Sequence, residues 1–110
     1  MRTVAFFALG LLVGCNTVQD VRERDTASSY LSERPPLALE HCLAGKLSWM
    51  GQPSVMPGER STEISFSVQF RVNLLVTVIP TPSGSRIEAR GAHGARIRHD
   101  IEECANGRDA

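Results

Sequence analysis

The sequence predicts an α+β domain: an antiparallel meander sheet of three to four strands, with an N-terminal and a C-terminal helix packed on one face. Three observations carry that expectation. Ile64, Phe66, Val68, Phe70, Val72, Leu74, Val76 and Val78 are apolar at strict period two, as in a sheet with one buried and one wet face. Apolar residues at helical spacing flank that run on both sides. Between the alternating stretches lies "PTPSGS", residues 80–85, whose Pro, Ser and Gly suit a tight turn.

In chain order, "RPPLALEHCLAGKL" comes first. Pro36 suits a first helical turn, where its missing N–H goes unmissed. Leu39, Cys42, Leu43 and Leu47 then fall on one face, and Lys46 lies where a helix C-terminus favours a cation. Residues 48–60, "SWMGQPSVMPGER", hold two Gly and two Pro. They read as a loop in which Val55 and its neighbours could add a short edge strand.

The alternating run that follows would extend about 50 Å as one strand, too long for so small a domain. The preferred reading is two strands, roughly 62–70 and 73–79, with one long bent strand as the alternative. Its polar partners are Ser65, Ser67, Gln69, Arg71, Asn73 and Thr77, with Leu75 and Ile79 as exceptions. Arg86 to Arg90 alternates again, Ile87 and Ala89 inward, and extends the meander. Ile97, Ile101 and Cys104 lie at i, i+4 and i+7 with Gly107 beyond as a stop, so a closing helix is expected. Alternation of Ala95, Ile97, His99 and Ile101 leaves a strand open as the second reading.

The N-terminus carries a different signal. Arg2 is followed by Val4 to Gly14, eleven residues without a polar side chain, about half of what a spanning helix requires. That is the layout of a signal peptide. It ends in Leu12-Val13-Gly14-Cys15, an order that resembles the lipobox of bacterial lipoproteins. The resemblance implies cleavage after Gly14 and a diacylglycerol thioether on Cys15, with a further acyl chain such as palmitate on the new N-terminus. Two or three chains, at about 0.8 kcal/mol per buried CH₂, make a stable anchor. Asn16 follows where related lipoproteins retained in the inner membrane have Asp, which favours the outer membrane with the domain facing the periplasm. The domain reading is therefore a signal peptide over 1–14, a lipidated cysteine and flexible tether over 15–34, "NTVQDVRERDTASSYLSER" being mostly polar with alternating charge, and a small α+β domain over 35–107. Within the tether "DTASSYL" could add a helical turn, and Tyr30 and Leu31 could dock on the domain.

With Cys15 lipidated, Cys42 and Cys104 remain as an even pair in an exported domain, and a disulfide is the expected reading. The processed chain keeps 96 of the 110 residues, enough for one small domain. Without Arg2 its cations stand against 12 acidic residues with a net charge near −1, and nothing global points to nucleic acid.

Catalytic chemistry finds no foothold. His41, His93 and His99 are not spaced with one another or with Cys as metal ligands, so no metal and no cofactor are expected. "PSGSR", Ser83 to Arg86 with the preceding Pro82, lacks the strand-to-helix setting of a nucleophile elbow. Its Ser-Gly loop resembles that of the periplasmic C-type lysozyme inhibitors, which are also small lipoproteins, although the aromatic, eight-stranded barrel pattern of that family is missing. Arg86, Arg90, Arg96 and Arg98, with Glu88 the one acid among them, form a candidate binding patch for an anionic glycan or an acidic envelope protein. The plainer reading, which is preferred, sets Arg86 and Arg90 on the solvent face of a strand and Arg96 and Arg98 on a helix surface paired with Asp100, Glu102 and Glu103. The chain as a whole resembles short envelope lipoproteins of Gram-negative bacteria. The expectation is a non-enzymatic binding or assembly module on a lipid anchor, and the alternative is an inhibitor or immunity protein against a cell-wall hydrolase such as lysozyme.

Overall fold

The computed structural model describes residues 17–24 and 27–107; the expected lipobox and its Cys15 lie outside the described residues. The elements are α1 (Val18–Arg24), β1 (Ser28–Ser32), α2 (Pro36–Lys46), a single 3₁₀ turn (Ser48–Met50), β2 (Gln52–Pro57), β3 (Thr62–Val68), β4 (Arg71–Thr81), β5 (Gly84–Gly91) and α3 (Ala95–Ala105). The strands form one open antiparallel sheet in the order β1-β5-β4-β3-β2. The meander runs from β2 to β5, and α2 and α3 cover one face, as the α+β reading expects. The sheet has five strands where three to four were expected.

The fifth strand, β1, comes from the segment read as a flexible tether over 15–34. It pairs with β5 along its whole length, from Ser28 opposite Ala89 to Ser32 opposite Ser85. Only Tyr30 of its five residues packs on the main core, so its period-two signal is too short and too polar to stand out. The same segment also supplies α1. Thr17 and Asp20 cap it reciprocally, each side chain accepting the other's backbone N–H at 3.2 Å. Val21 of α1 is buried against Val72 and Leu75, with Val18 beside it, and Arg22 pairs with Glu63. The packed chain therefore begins well before residue 35.

The main core lies between α2, α3 and the sheet. Leu39, Leu43 and Leu47 meet Ile97 and Ile101 over Ile64, Phe66, Leu74, Val76, Val78 and Ile87. Side chains of this size contribute about 1.5–3 kcal/mol each when fully buried. Cys42 and Cys104 are bridged between α2 and α3, with their Cα atoms 5.7 Å apart. Closing that loop of 62 residues stabilises the fold by about 4 kcal/mol on chain-entropy grounds. Residues 95–105 are helical, which settles the choice between helix and strand there.

The long alternating run divides, with its turn at Gln69–Phe70, so it is a hairpin. The strands end at 68 and resume at 71, close to the expected division. The expected single inward face is not kept. Phe66 lies opposite Leu74 but Ser67 lies opposite Val72, so Asn73 is an extra, bulged residue. The bulge turns Val72 to the face covered by α1, where Leu75 also lies. Val68 and Phe70 face solvent. On the outer edge β2 carries Pro53 and Pro57, residues tolerated at an edge and hostile to further strand addition.

Candidate functional site

The four arginines expected as one patch are divided among different surroundings. Arg86 and Arg90 alternate with the buried Ile87 and Ala89 along β5, so they share the sheet face opposite α2 and α3. There they bracket Glu88, at 3.4 Å and 3.6 Å from its carboxylate oxygens. Arg96, in the first turn of α3, lies over the Trp49 ring with its guanidinium carbon 4.0 Å from the centroid. The same indole donates from Nε1 to Asp100 Oδ2 at 2.8 Å. Arg98 lies elsewhere on α3, close enough to Tyr30 to act on its ionisation.

Arg98 lines a groove of about 420 Å³ between β1, the end of β5 and the start of α3. Ser28 and Tyr30 of β1, Ala89 and Gly91 of β5, His93 and Arg98 all line it. Among the described residues none that lines it is acidic. Burial pushes the Tyr30 phenol above its usual pKa, the nearby Glu102 carboxylate adds to that shift, and Arg98 opposes it. Tyr30 is therefore held as a neutral hydroxyl beside a cation and an imidazole. Chemically, this is a shallow recess able to offer hydrogen bonds and positive charge to an anionic group. Sequence reasoning found Arg98 but not the groove, because Tyr30 and Ser28 fall in the segment read as tether.

The remaining candidates occupy structural positions. His99 Nε2 and Lys46 Nζ both approach Glu103 Oε1, at 3.3 Å and 2.8 Å. His41 is exposed on α2. Among the described residues no group of three or more His, Cys, Asp or Glu is placed to hold a metal, and no helix is long and apolar enough to cross a membrane. In "PSGSR", Ser85 is fully buried and its Oγ donates to the Arg34 carbonyl at 2.9 Å, while Ser83 is exposed in the turn.

A second feature lies at the same end of the sheet as the start of α3. The turn between β3 and β4 places Gln69 and Phe70 at φ 51° and 67°, both left-handed. Two-residue turns of this kind favour Asn-Gly, and a bulky residue there is an outlier. Phe70 is fully exposed and Val68 is half exposed. The sequence signal for this was present in the length of the alternating run: a turn inside it must leave some apolar positions beyond the sheet. No protein family, no curated protein and no solved structure matches this chain.

Proposed function

We propose that the protein is an envelope lipoprotein, anchored to the outer membrane through Cys15 and facing the periplasm, whose domain is a non-enzymatic binding module for an anionic glycan. The lipobox resemblance supports the anchor. The observation that carries the binding reading is the groove where Tyr30, His93 and Arg98 meet, with no acid among the described residues that line it. A carboxylate or phosphate on a sugar ring would find charge from Arg98 and a neutral hydroxyl donor from Tyr30, while Ala89 and Gly91 leave room for the ring. An acidic segment of an envelope protein is the other partner of this chemistry.

Titration of the Cys15→Ser protein with oligogalacturonate, followed by calorimetry at two salt concentrations, tests this. Binding should weaken with salt and fall about tenfold or more in Arg98→Ala, the usual loss for a charge-assisted hydrogen bond. Arg86→Ala and Arg90→Ala, on the other face, should leave it unchanged. Equal loss in all three variants would replace the groove with diffuse attraction. Intact mass of the membrane-extracted protein, beside a Cys15→Ser control, tests the anchor.

The inhibitor reading also has an observation in its favour. The Pro82–Ser83 turn is exposed and firmly held from behind by Ser85, so it could enter a cleft without rearranging. Stoichiometric block of a lysozyme, lost in Ser83→Trp, would support it; no block across several cell-wall hydrolases would remove it.

A further inference from the structure

Phe70 receives nothing from the fold. Its ring is fully exposed and its backbone and that of Gln69 are both left-handed, a conformation in which Phe is disfavoured and Gly or Asn would sit without strain. Strain kept without a packing return is a pointer to a contact outside the domain. Val68, half exposed at the end of β3, extends the apolar surface.

The position of α1 says what that contact is. Val18 and Val21 pack on Val72 and Leu75, in the half of β4 nearest the turn. Cys15 precedes Val18 by three residues, a reach of at most about 11 Å. Along β4, Phe70 lies two residues from Val72, about 7 Å, whereas Thr81 at the opposite end lies six residues from Leu75, about 20 Å. A lipid on Cys15 is thus within reach of the end of the sheet that carries Phe70 and short of the other end.

We infer that the β3–β4 turn, Val68 to Phe70, is a second membrane contact, dipping into the same bilayer that holds the lipid of Cys15; this rests on the lipoprotein reading above. Burial of one Phe side chain favours partition by roughly ten- to a hundredfold. That is too little to recruit a free protein and enough to orient one already tethered, because the anchor makes the second contact intramolecular. The domain is then fixed with the β3–β4 turn down and the Pro82–Ser83 turn pointing away from the bilayer.

The test uses the full lipidated chain in phosphatidylcholine vesicles containing brominated acyl chains, with lipidation of each sample verified by intact mass. Phe70→Trp adds an indole at the turn and Ser83→Trp adds one at the opposite end, each read against the parent emission of Trp49. The expected result is a blue-shifted emission quenched by bromine for Phe70→Trp and neither change for Ser83→Trp. Lipidated protein whose added indole at position 70 is unshifted and unquenched overturns the second contact and leaves the anchor standing. A mass without lipid on Cys15 overturns the anchor, and the proposal with it. A shift that follows protein concentration and not lipid would assign the turn to a second copy of the chain and overturn the membrane contact.

Discussion

The two turns that bracket β4 are built from opposite materials. At the β4–β5 end, Pro82 and Ser83 precede Gly84, whose φ of 154° brings the backbone so close to β1 that an added Cβ would lie 2.2 Å from the Ser32 carbonyl oxygen. Ser85 donates to the Arg34 carbonyl, Ser32 Oγ donates to the Ala105 carbonyl at 2.6 Å, and Arg34 donates to the Cys104 carbonyl at 2.8 Å. This stitching ties β1, β5 and the end of α3 together. At the β3–β4 end, Gln69 and Phe70 occupy a geometry meant for small residues, and Val68 beside them is half exposed. Where residue chemistry suits the backbone, the turn serves stability. Where it conflicts, the structure has kept an apolar ring in water, and the explanation lies outside the domain.

The largest effect should come from opening the stitched end at its covalent point. Cys42→Ser with Cys104→Ser should lower unfolding free energy by about 4 kcal/mol, read as a fall in the urea midpoint. Hydrogen exchange should rise first at Ser32 to Arg34, which depend on the carbonyls of Cys104 and Ala105. Equal acceleration at Gln69 and Phe70 would contradict the division between the two ends. Gly84→Ala follows in size: the close approach to Ser32 and the disfavoured φ should cost about 2–3 kcal/mol, whereas Ser83→Ala beside it should change the melting temperature little. Ser85→Ala removes the donor to a part-buried carbonyl and should cost about 1 kcal/mol.

At the open end the sign reverses. Replacing Gln69-Phe70 by Asn-Gly gives the left-handed turn the residues it favours and should raise stability by about 1 kcal/mol. The same change should abolish the membrane contact inferred for Phe70. A loss of stability would mean that Phe70 supports the fold after all, and the contrast with Gly84 would disappear.

How much of this was legible depends on how many residues share each signal. The meander and the two covering helices rest on patterns of several residues repeating at one period, the pairing of Cys42 with Cys104 rests on their being the two cysteines left once Cys15 is set aside, and all of these stand. β1 has one core-facing residue, Tyr30, among serines, and α1 has Val18 and Val21 within alternating charge. Such short signals are drowned by composition, and the tether reading followed. The bulge at Asn73 is illegible for another reason: it is set by pairing with β3 and β5, since Ala92 donates to the Asn73 carbonyl at 2.8 Å, and its side-chain amide reaches the Met50 carbonyl at 3.1 Å. Local periodicity carries no trace of those partners. The four arginines divide as the plainer of their two readings has it, Arg86 and Arg90 along a strand and Arg96 and Arg98 on a helix; spacing along the chain brings them close in sequence, and the sheet separates them.

The smallest effect probes the groove itself. Tyr30 is the only tyrosine in the sequence, so phenolate absorbance follows it alone. Burial, reinforced by Glu102 and opposed by Arg98, raises its pKa from the ordinary 10.0. The folded protein therefore holds the phenol proton where the unfolded chain releases it. The stabilising contribution is complete below the ordinary pKa and declines as pH rises through the window up to the folded value. Arg98→Ala should move the absorbance midpoint to higher pH, and Glu102→Gln should move it lower. Opposite responses from these two residues would place both charges against the phenol and hold Arg98 at the groove wall. A midpoint indifferent to Arg98→Ala would detach that guanidinium from Tyr30, and with it the cation on which recognition of an anionic ligand depends.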